Sequence, residues 1–285
     1  MNTPESLRDL SFSLERIGEI EKEEDNLSGA KILFAEVLEI RRKLADQMNT
    51  PESLRDLSFS LERIGEIEKE EDNLGSAKIF FAEGLEINRK LAMYLNTPGS
   101  LRDLSFSLEI IGDIEKAENN LDTAKALYFE SLEIRRKLAE QIKTADSLHD
   151  VSFSLNIIGG IEVVEGNLEC AKSFFSESLE ISRKLAQQLN IPVNINQKIW
   201  SLQLLAHVQF LLEENQLAFN LLKESESNVD ELQSECTGAM DFLDTLATYW
   251  ERRTAVEEKL KMPEAKTSKA KAEDIRNEIE NKRAK

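Results

Sequence analysis

His149 and His207, together with Cys170 and Cys236, are all the imidazoles and thiols in these 285 residues. Acid–base and metal sites draw heavily on imidazole, so a histidine-based centre has little to work with. No histidine lies near Cys236 in sequence. No glycine-rich phosphate loop follows a strand pattern either. What the chain has in quantity is carboxylate: 54 Asp and Glu against 36 Lys and Arg, a net charge of −18. That balance argues against nucleic acid or an anionic membrane as partner, since both need a basic footprint. No apolar run approaches the roughly 18 residues of a membrane span, and the polar start is no signal peptide. Two cysteines make no disulfide framework, so the reading is a reduced, cytoplasmic setting. These limits predict a protein that is not an enzyme and carries no cofactor and no metal.

The elements that would carry the carboxylates are repeated. Asn2-Thr3-Pro4 recurs as Asn49-Thr50-Pro51 and Asn96-Thr97-Pro98, a period of 47. A fourth copy has Ala145 in the proline position, and Pro192 opens a fifth. Residues 1–47 and 48–94 agree at 40 of 47 positions. A period of this length means stacked units that cannot bury their apolar faces alone. Each unit reads as two helices. Thr3 suits an N-cap, Pro4 the first helical position and Glu5 the positive end of the dipole. Leu7, Leu10, Leu14 and Ile17 keep helical spacing, and Asp25-Asn26 ends the run with residues that tolerate a left-handed turn. Ala30, Phe34, Val37, Leu38, Ile40 and Leu44 mark a second helix. Arg41, Arg42 and Lys43 then read as cations suited to its C-terminus.

Leu14-x-x-Ile17-Gly18 followed by Ala30-x-x-x-Phe34 resembles a tetratricopeptide repeat. The pattern returns with Gly65, Ala77 and Phe81, with Gly112, Ala124 and Tyr128, and with Gly159, Ala171 and Phe175. A degenerate fifth copy aligns Ala206, Ala218 and Leu222. The resemblance implies an all-α, right-handed superhelical solenoid of antiparallel helix pairs. The period exceeds the family's 34 residues, as in bacterial and kinesin-light-chain-like arrays, and predicts hairpins lengthened by about two turns. The pairs span 1–47, 48–94, 95–141, 142–189 and 190–236, followed by a capping helix over 237–262 and a charged tail over 263–285. The family's usual tyrosine is replaced by Glu21, Glu68, Glu115 and Glu162, and a lysine is as regular at Lys31, Lys78, Lys125 and Lys172. Their plain reading is an ion pair within each repeat, or a solvated rim.

By the same resemblance, a second stripe on each first helix lines the concave groove where ligand peptides lie. It holds Phe12, Glu15 and Glu19, then Phe59, Glu62 and Glu66, then Phe106, Glu109 and Asp113. The later units contribute Phe153 and then Trp200, Gln203, His207, Phe210 and Leu211. The stripe is acidic in three units and apolar in two, which predicts a peptide or helix partner with basic and apolar segments. Family members that clamp a terminal carboxylate use Lys and Asn here, and these glutamates would repel that ligand. The competing reading of the aromatic row is packing against the next unit.

Cys170 reads as a small packing residue and His149, which stands where other units have Arg8, Arg55 and Arg102, as a surface variant. Residues 264–285 carry +2 against −20 for 1–263; with one apolar pair, Ile275 and Ile279, they read as a charged or frayed helix, the plainer reading being a solvated terminus. Residues 1–27 repeat as 48–74, so unit one has the apolar face of an internal unit with nothing before it. That predicts weak homodimerisation through the first repeat, or a place within a longer array. The leading expectation is an adaptor or scaffold that binds protein. The alternatives are a regulatory peptide sensor and the recognition subunit of a separately encoded effector enzyme.

Overall fold

A computed structural model describes residues 3–235 and 240–283, all regular elements of which are helices. Cys236 and the boundary between 236 and 237 lie outside the described residues. The chain divides into two units, 1–142 and 143–285.

The first unit holds three helix pairs: α1 (Pro4–Glu23) with α2 (Leu27–Met48), α3 (Pro51–Glu70) with α4 (Leu74–Leu95), and α5 (Pro98–Ala117) with α6 (Leu121–Ile142). Leading helices have 20 residues and returning helices 22, about 30 Å and 33 Å at the α-helical rise. Caps fix where each begins. Thr50 Oγ1 accepts the Ser53 backbone N–H at 3.2 Å, and Ser53 Oγ accepts the Thr50 N–H at 3.1 Å. The same reciprocal box forms at Thr97 and Ser100. Asp25, Asp72 and Asn119 turn the chain between helices with φ of 59°, 63° and 64°, and Asn49 and Asn96 end the returning helices at φ 47°.

What sets the crossing of each pair is a glycine. A Cβ on Gly18 would stand 2.7 Å from the Phe34 ring, on Gly65 2.7 Å from Phe81, and on Gly112 2.9 Å from Tyr128. The rings themselves are buried. Each following leading helix then packs on the preceding returning helix, α3 on α2 and α5 on α4. This leaves α1 in a different position from α3 although their 20 residues are identical. Ile17 is 47% exposed where Ile64 is 4% exposed, and Leu10 and Ile20 are exposed where Leu57 and Ile67 are buried.

The second unit begins with α7 (Ala145–Val164) and α8 (Leu168–Gln188), crossing at Gly159, whose added Cβ would meet Phe175 at 2.6 Å. Helix α9 (Pro192–Leu211) packs on α8. The fifth returning segment departs from a single helix. It is α10 (Asn215–Glu224) and α11 (Glu226–Glu235), broken at buried Ser225. The Leu222 carbonyl freed there accepts from Ser225 Oγ at 2.8 Å and from the Tyr249 hydroxyl at 3.2 Å. Helix α12 (Met240–Lys259) covers α9 and α10.

Of the two readings of the charged segment after Pro263, the structure has the helix and not the solvated terminus. The segment forms α13 (Ala265–Arg283) against α12 and buries Ala265, Ala272, Ile275 and Ile279. Ser268 Oγ also donates to Glu257 at 2.6 Å. Small residues at helical spacing gave this helix a packing face that its charge count conceals.

Two glycines of the same repeat give opposite expectations. Gly65→Ala forces a Cβ into the Phe81 ring and costs about 1–3 kcal/mol by overpacking. Gly84→Ala places its Cβ in ordinary contact, with neighbours no nearer than 3.8 Å, and raises stability by up to about 1 kcal/mol through helix propensity. Urea unfolding of both variants reads the pair; equal effects of the same sign would contradict the crossing contact.

Candidate functional site

In the first unit α3 and α5 bury Leu, Ile and Gly on one side and α1 buries Gly18, which turns the stripe of Phe12, Phe59 and Phe106 outward. These rings are 40%, 39% and 49% exposed. Between successive rings lie two furrows. One of about 300 Å³ is walled by Phe12, Glu15, Arg41, Phe59 and Arg63. The next, about 350 Å³, is walled by Phe59, Glu62, Glu66, Asp103 and Phe106, with Arg63 and Arg102 beside them.

The acidic residues of the row carry less free charge than their number implies, because the chain supplies partners. Glu15 accepts two bonds from Arg41, at 3.0 and 2.6 Å. Glu109 is buried against Arg135, and Asp113 accepts the Tyr128 hydroxyl at 2.6 Å. Burial, and then Asp113, push the Tyr128 hydroxyl pKa up. Arg63 lies 3.0 Å from both Glu19 and Glu66.

Arg41 corrects the reading of a cation at a helix end. It lies well inside α2, is 2% exposed, and reaches across to Glu15, Ser11 at 3.3 Å, the Asp56 carbonyl at 3.3 Å and Ser60 at 3.0 Å. Its guanidinium stands 5.0 Å from the Phe12 ring centroid. Residues at this register are Arg41, Asn88, Arg135 and Ser182, while the lysine two places on is constant at Lys43, Lys90, Lys137 and Lys184. That contrast was the available signal of a different role.

Glu62 consequently has no arginine at this register of its returning helix. Asn88 Nδ2 donates to it at 3.4 Å and Ser107 Oγ at 3.3 Å. Burial pushes its carboxyl up to about 7; Ser107 opposes this, Asp103 and Glu66 add to it, and Arg63 offsets part.

The regular Glu–Lys set also resolves differently from its plain reading. Lys31 bridges Glu68 at 2.8 Å and Glu71 at 2.6 Å, both in the next repeat, and Lys78 does the same with Glu115 and Glu118. Arg8–Asp56 and Arg55–Asp103 join the same neighbours. The returning helix packs on the following leading helix, so these pairs bridge repeats rather than closing within one.

In the second unit Phe153 and Trp200 are exposed. Leu211 is exposed too, but Gln203, His207 and Phe210 of the fifth unit's stripe do not line an open trough. Gln203 is buried and donates to the Thr245 carbonyl of α12 at 3.0 Å. His207 and Phe210 wall a pocket of about 230 Å³ with Arg252, Ala255 and Val256 of α12. Burial, then Arg252, lower the His207 pKa, and burial lowers Arg252 to about 10. The helix that caps the core there also covers this part of the stripe. Cys170 is exposed rather than a packing residue, since it precedes the buried Ala171 and faces outward. His149 Nε2 lies 2.8 Å from Asn194 Oδ1 and is half-buried. Among the described residues no group of three or more His, Cys, Asp and Glu is placed to hold a metal ion, and no helix is long and apolar enough to cross a membrane.

The raised Glu62 pKa gives a signed expectation. Native chains hold this proton up to about pH 7 and unfolded chains release it near 4.5, so stability falls as pH rises between these values. Glu62→Gln removes the loss and is more stable than the parent at pH 8, by on the order of 2–3 kcal/mol, with no advantage at pH 4. Urea unfolding at the two pH values measures this; a gap that does not change with pH would contradict the environment described.

The chain matches no protein-family model and no curated protein. Among solved structures it is similar to BtubC from P. vanneervenii, at 18% identity and TM-score 0.61, over 90% of this chain and 91% of that one. It is similar to the nearly identical TPR-like repeats assigned to a kinesin light chain of Podosopora anserina, at 15% identity and TM-score 0.59, over 84% and 100%. The nuclear import adaptor Nro1 of S. pombe matches at 14% identity and TM-score 0.57, over 98% and 99%. At these identities the likeness establishes the fold, a tetratricopeptide-like helical-repeat array.

Proposed function

We propose that this tetratricopeptide-like chain is a protein-interaction scaffold whose first unit binds an extended peptide or a helix along α1, α3 and α5. The observation that carries the reading is the row of outward phenylalanines with a furrow between each pair. Core packing gives no reason for three large rings to remain half in solvent at the same register. The carboxylates beside them favour a partner that alternates basic and apolar residues. The similar Nro1 is a nuclear import adaptor, which supports a protein partner here.

The test uses an array of immobilised peptides in which Lys or Arg alternates with Leu or Phe, beside acidic and polar controls. The chain retains the basic–apolar set. Phe59→Ala with Phe106→Ala weakens that binding about tenfold or more while the midpoint of thermal unfolding moves little, because both rings are exposed. Absence of any retained peptide, or binding indifferent to both rings, would contradict the proposal.

The uncovered face of α1 supports a second part of the proposal, weak pairing of two copies. The identical face of α3 is covered by α2, so Leu10, Ile17 and Ile20 are shaped to receive a helix. Light scattering across a concentration series reports a rising mass, and Ile17→Glu returns it to the monomer value. A constant monomer mass in the parent would end the pairing proposal and leave the peptide row standing.

A further inference from the structure

Repeats one and two of the first unit differ at seven of 47 positions, and one of these is Arg41 against Asn88. The substitution leaves a defined gap. In repeat one the Arg41 guanidinium reaches Glu15 through two bonds, Ser11, the Asp56 carbonyl and Ser60. In repeat three Arg135 pairs with Glu109. In repeat two the surrounding acceptors are retained but the guanidinium is missing. Asn88 donates to Glu62 and to Ser107, at 3.4 and 2.8 Å, with a side chain too short to do more. Its own Oδ1, buried in a residue 1% exposed, has no donor among the described residues. The amide orientation that serves Glu62 and Ser107 leaves this oxygen without a donor. Of the two arginines that line the furrow with Glu62, Arg63 and Arg102, Arg63 is turned to Glu19 and Glu66. Above this donor-poor spot lies the furrow of about 350 Å³ between Phe59 and Phe106.

We infer that this furrow receives an arginine side chain of the partner segment, whose guanidinium lies between Phe59 and Phe106 and donates to Glu62 in the manner of Arg41 in repeat one. The inference rests on the reading of the first unit as a peptide-binding row and names its specificity position. The chain itself supplies the evidence for ligand chemistry. An arginine fills the equivalent place on either side, and in repeat one its guanidinium lies within cation–π range of the phenylalanine at the same register. A planar donor fork suits a carboxylate better than an ammonium does. The carboxyl of Glu62, held up to about 7 chiefly by burial, is what an incoming guanidinium would bring back into the ionised form.

The experiment measures fluorescence anisotropy of three labelled heptapeptides, Gly-Ala-Leu-Xaa-Leu-Ala-Gly, with arginine, citrulline or alanine at Xaa. Citrulline keeps the shape and removes the charge. The parent chain binds the arginine peptide about tenfold or more tightly than the citrulline peptide, the scale of one charge-assisted pair. Asn88→Arg places an internal guanidinium against Glu62, as in repeat one, and brings the preference down to near unity. Glu62→Gln, which preserves shape, does the same by removing the negative charge that holds a guanidinium, and stands in if the arginine variant fails to fold. Equal binding of all three peptides, lost when Phe59 and Phe106 are both changed to Ala, overturns the arginine site and leaves the row intact. No binding of any peptide overturns both. An arginine preference that survives in both Asn88→Arg and Glu62→Gln overturns the site, because the guanidinium then lies elsewhere.

Discussion

Each of the first four hairpins depends on one close approach, an aromatic ring lying against a glycine that has no Cβ. Phe34, Phe81, Tyr128 and Phe175 occupy the space that a methyl at Gly18, Gly65, Gly112 or Gly159 would take. The contact fixes the crossing of the two helices, and the crossing fixes which side of the leading helix is sealed. Once Leu61, Ile64 and Ile67 face inward, Phe59 has to face outward, because helical geometry places it well round the cylinder. The row of exposed rings is thus a consequence of the buried ones.

Charge has a different part in the molecule than its excess suggests. Many of the acidic side chains are engaged in pairs that step from one repeat to the next, such as Lys31 with Glu68 and Glu71, or Arg42 with Glu83. Exposed pairs contribute little energy each, and their repetition acts mainly on register, since a slipped neighbour would set like charges together. The Arg41–Glu15 and Arg135–Glu109 pairs are another matter. They lie beneath the row, where an unpaired charge is costly, and Asn88 shows what the site becomes when one partner is withdrawn.

Helix boundaries, left-handed turns and the glycine–aromatic crossing were legible in the sequence, because cap residues, turn residues and spacing act locally. The uncovered face of α1 was legible as well, from the identity of residues 1–27 with 48–74. What was not legible involved distance along the chain. Arg41 resembles any cation near a helix end until α3 brings Ser60 and Asp56 against it. Lys31 lies close to Glu21 in sequence but meets Glu68 in space. In the second unit α12 lies over Gln203 and closes a pocket on His207, and α13 packs Ala265, Ser268 and Ala272 as well as the apolar pair Ile275 and Ile279. Composition counts charges without locating them, and pairwise spacing does not show which helix returns to cover a stripe.

The account stands on two classes of phenylalanine in one unit, those sealed at the crossings and those left in the row. Fluorine NMR of the chain labelled with 4-fluorophenylalanine, with a soluble paramagnetic agent added, distinguishes them directly. The resonances of Phe12, Phe59 and Phe106 should broaden strongly, and those of Phe34 and Phe81, at 1% and 3% exposure, should hardly change. Equal broadening of both classes, or protection of the row, would contradict the account.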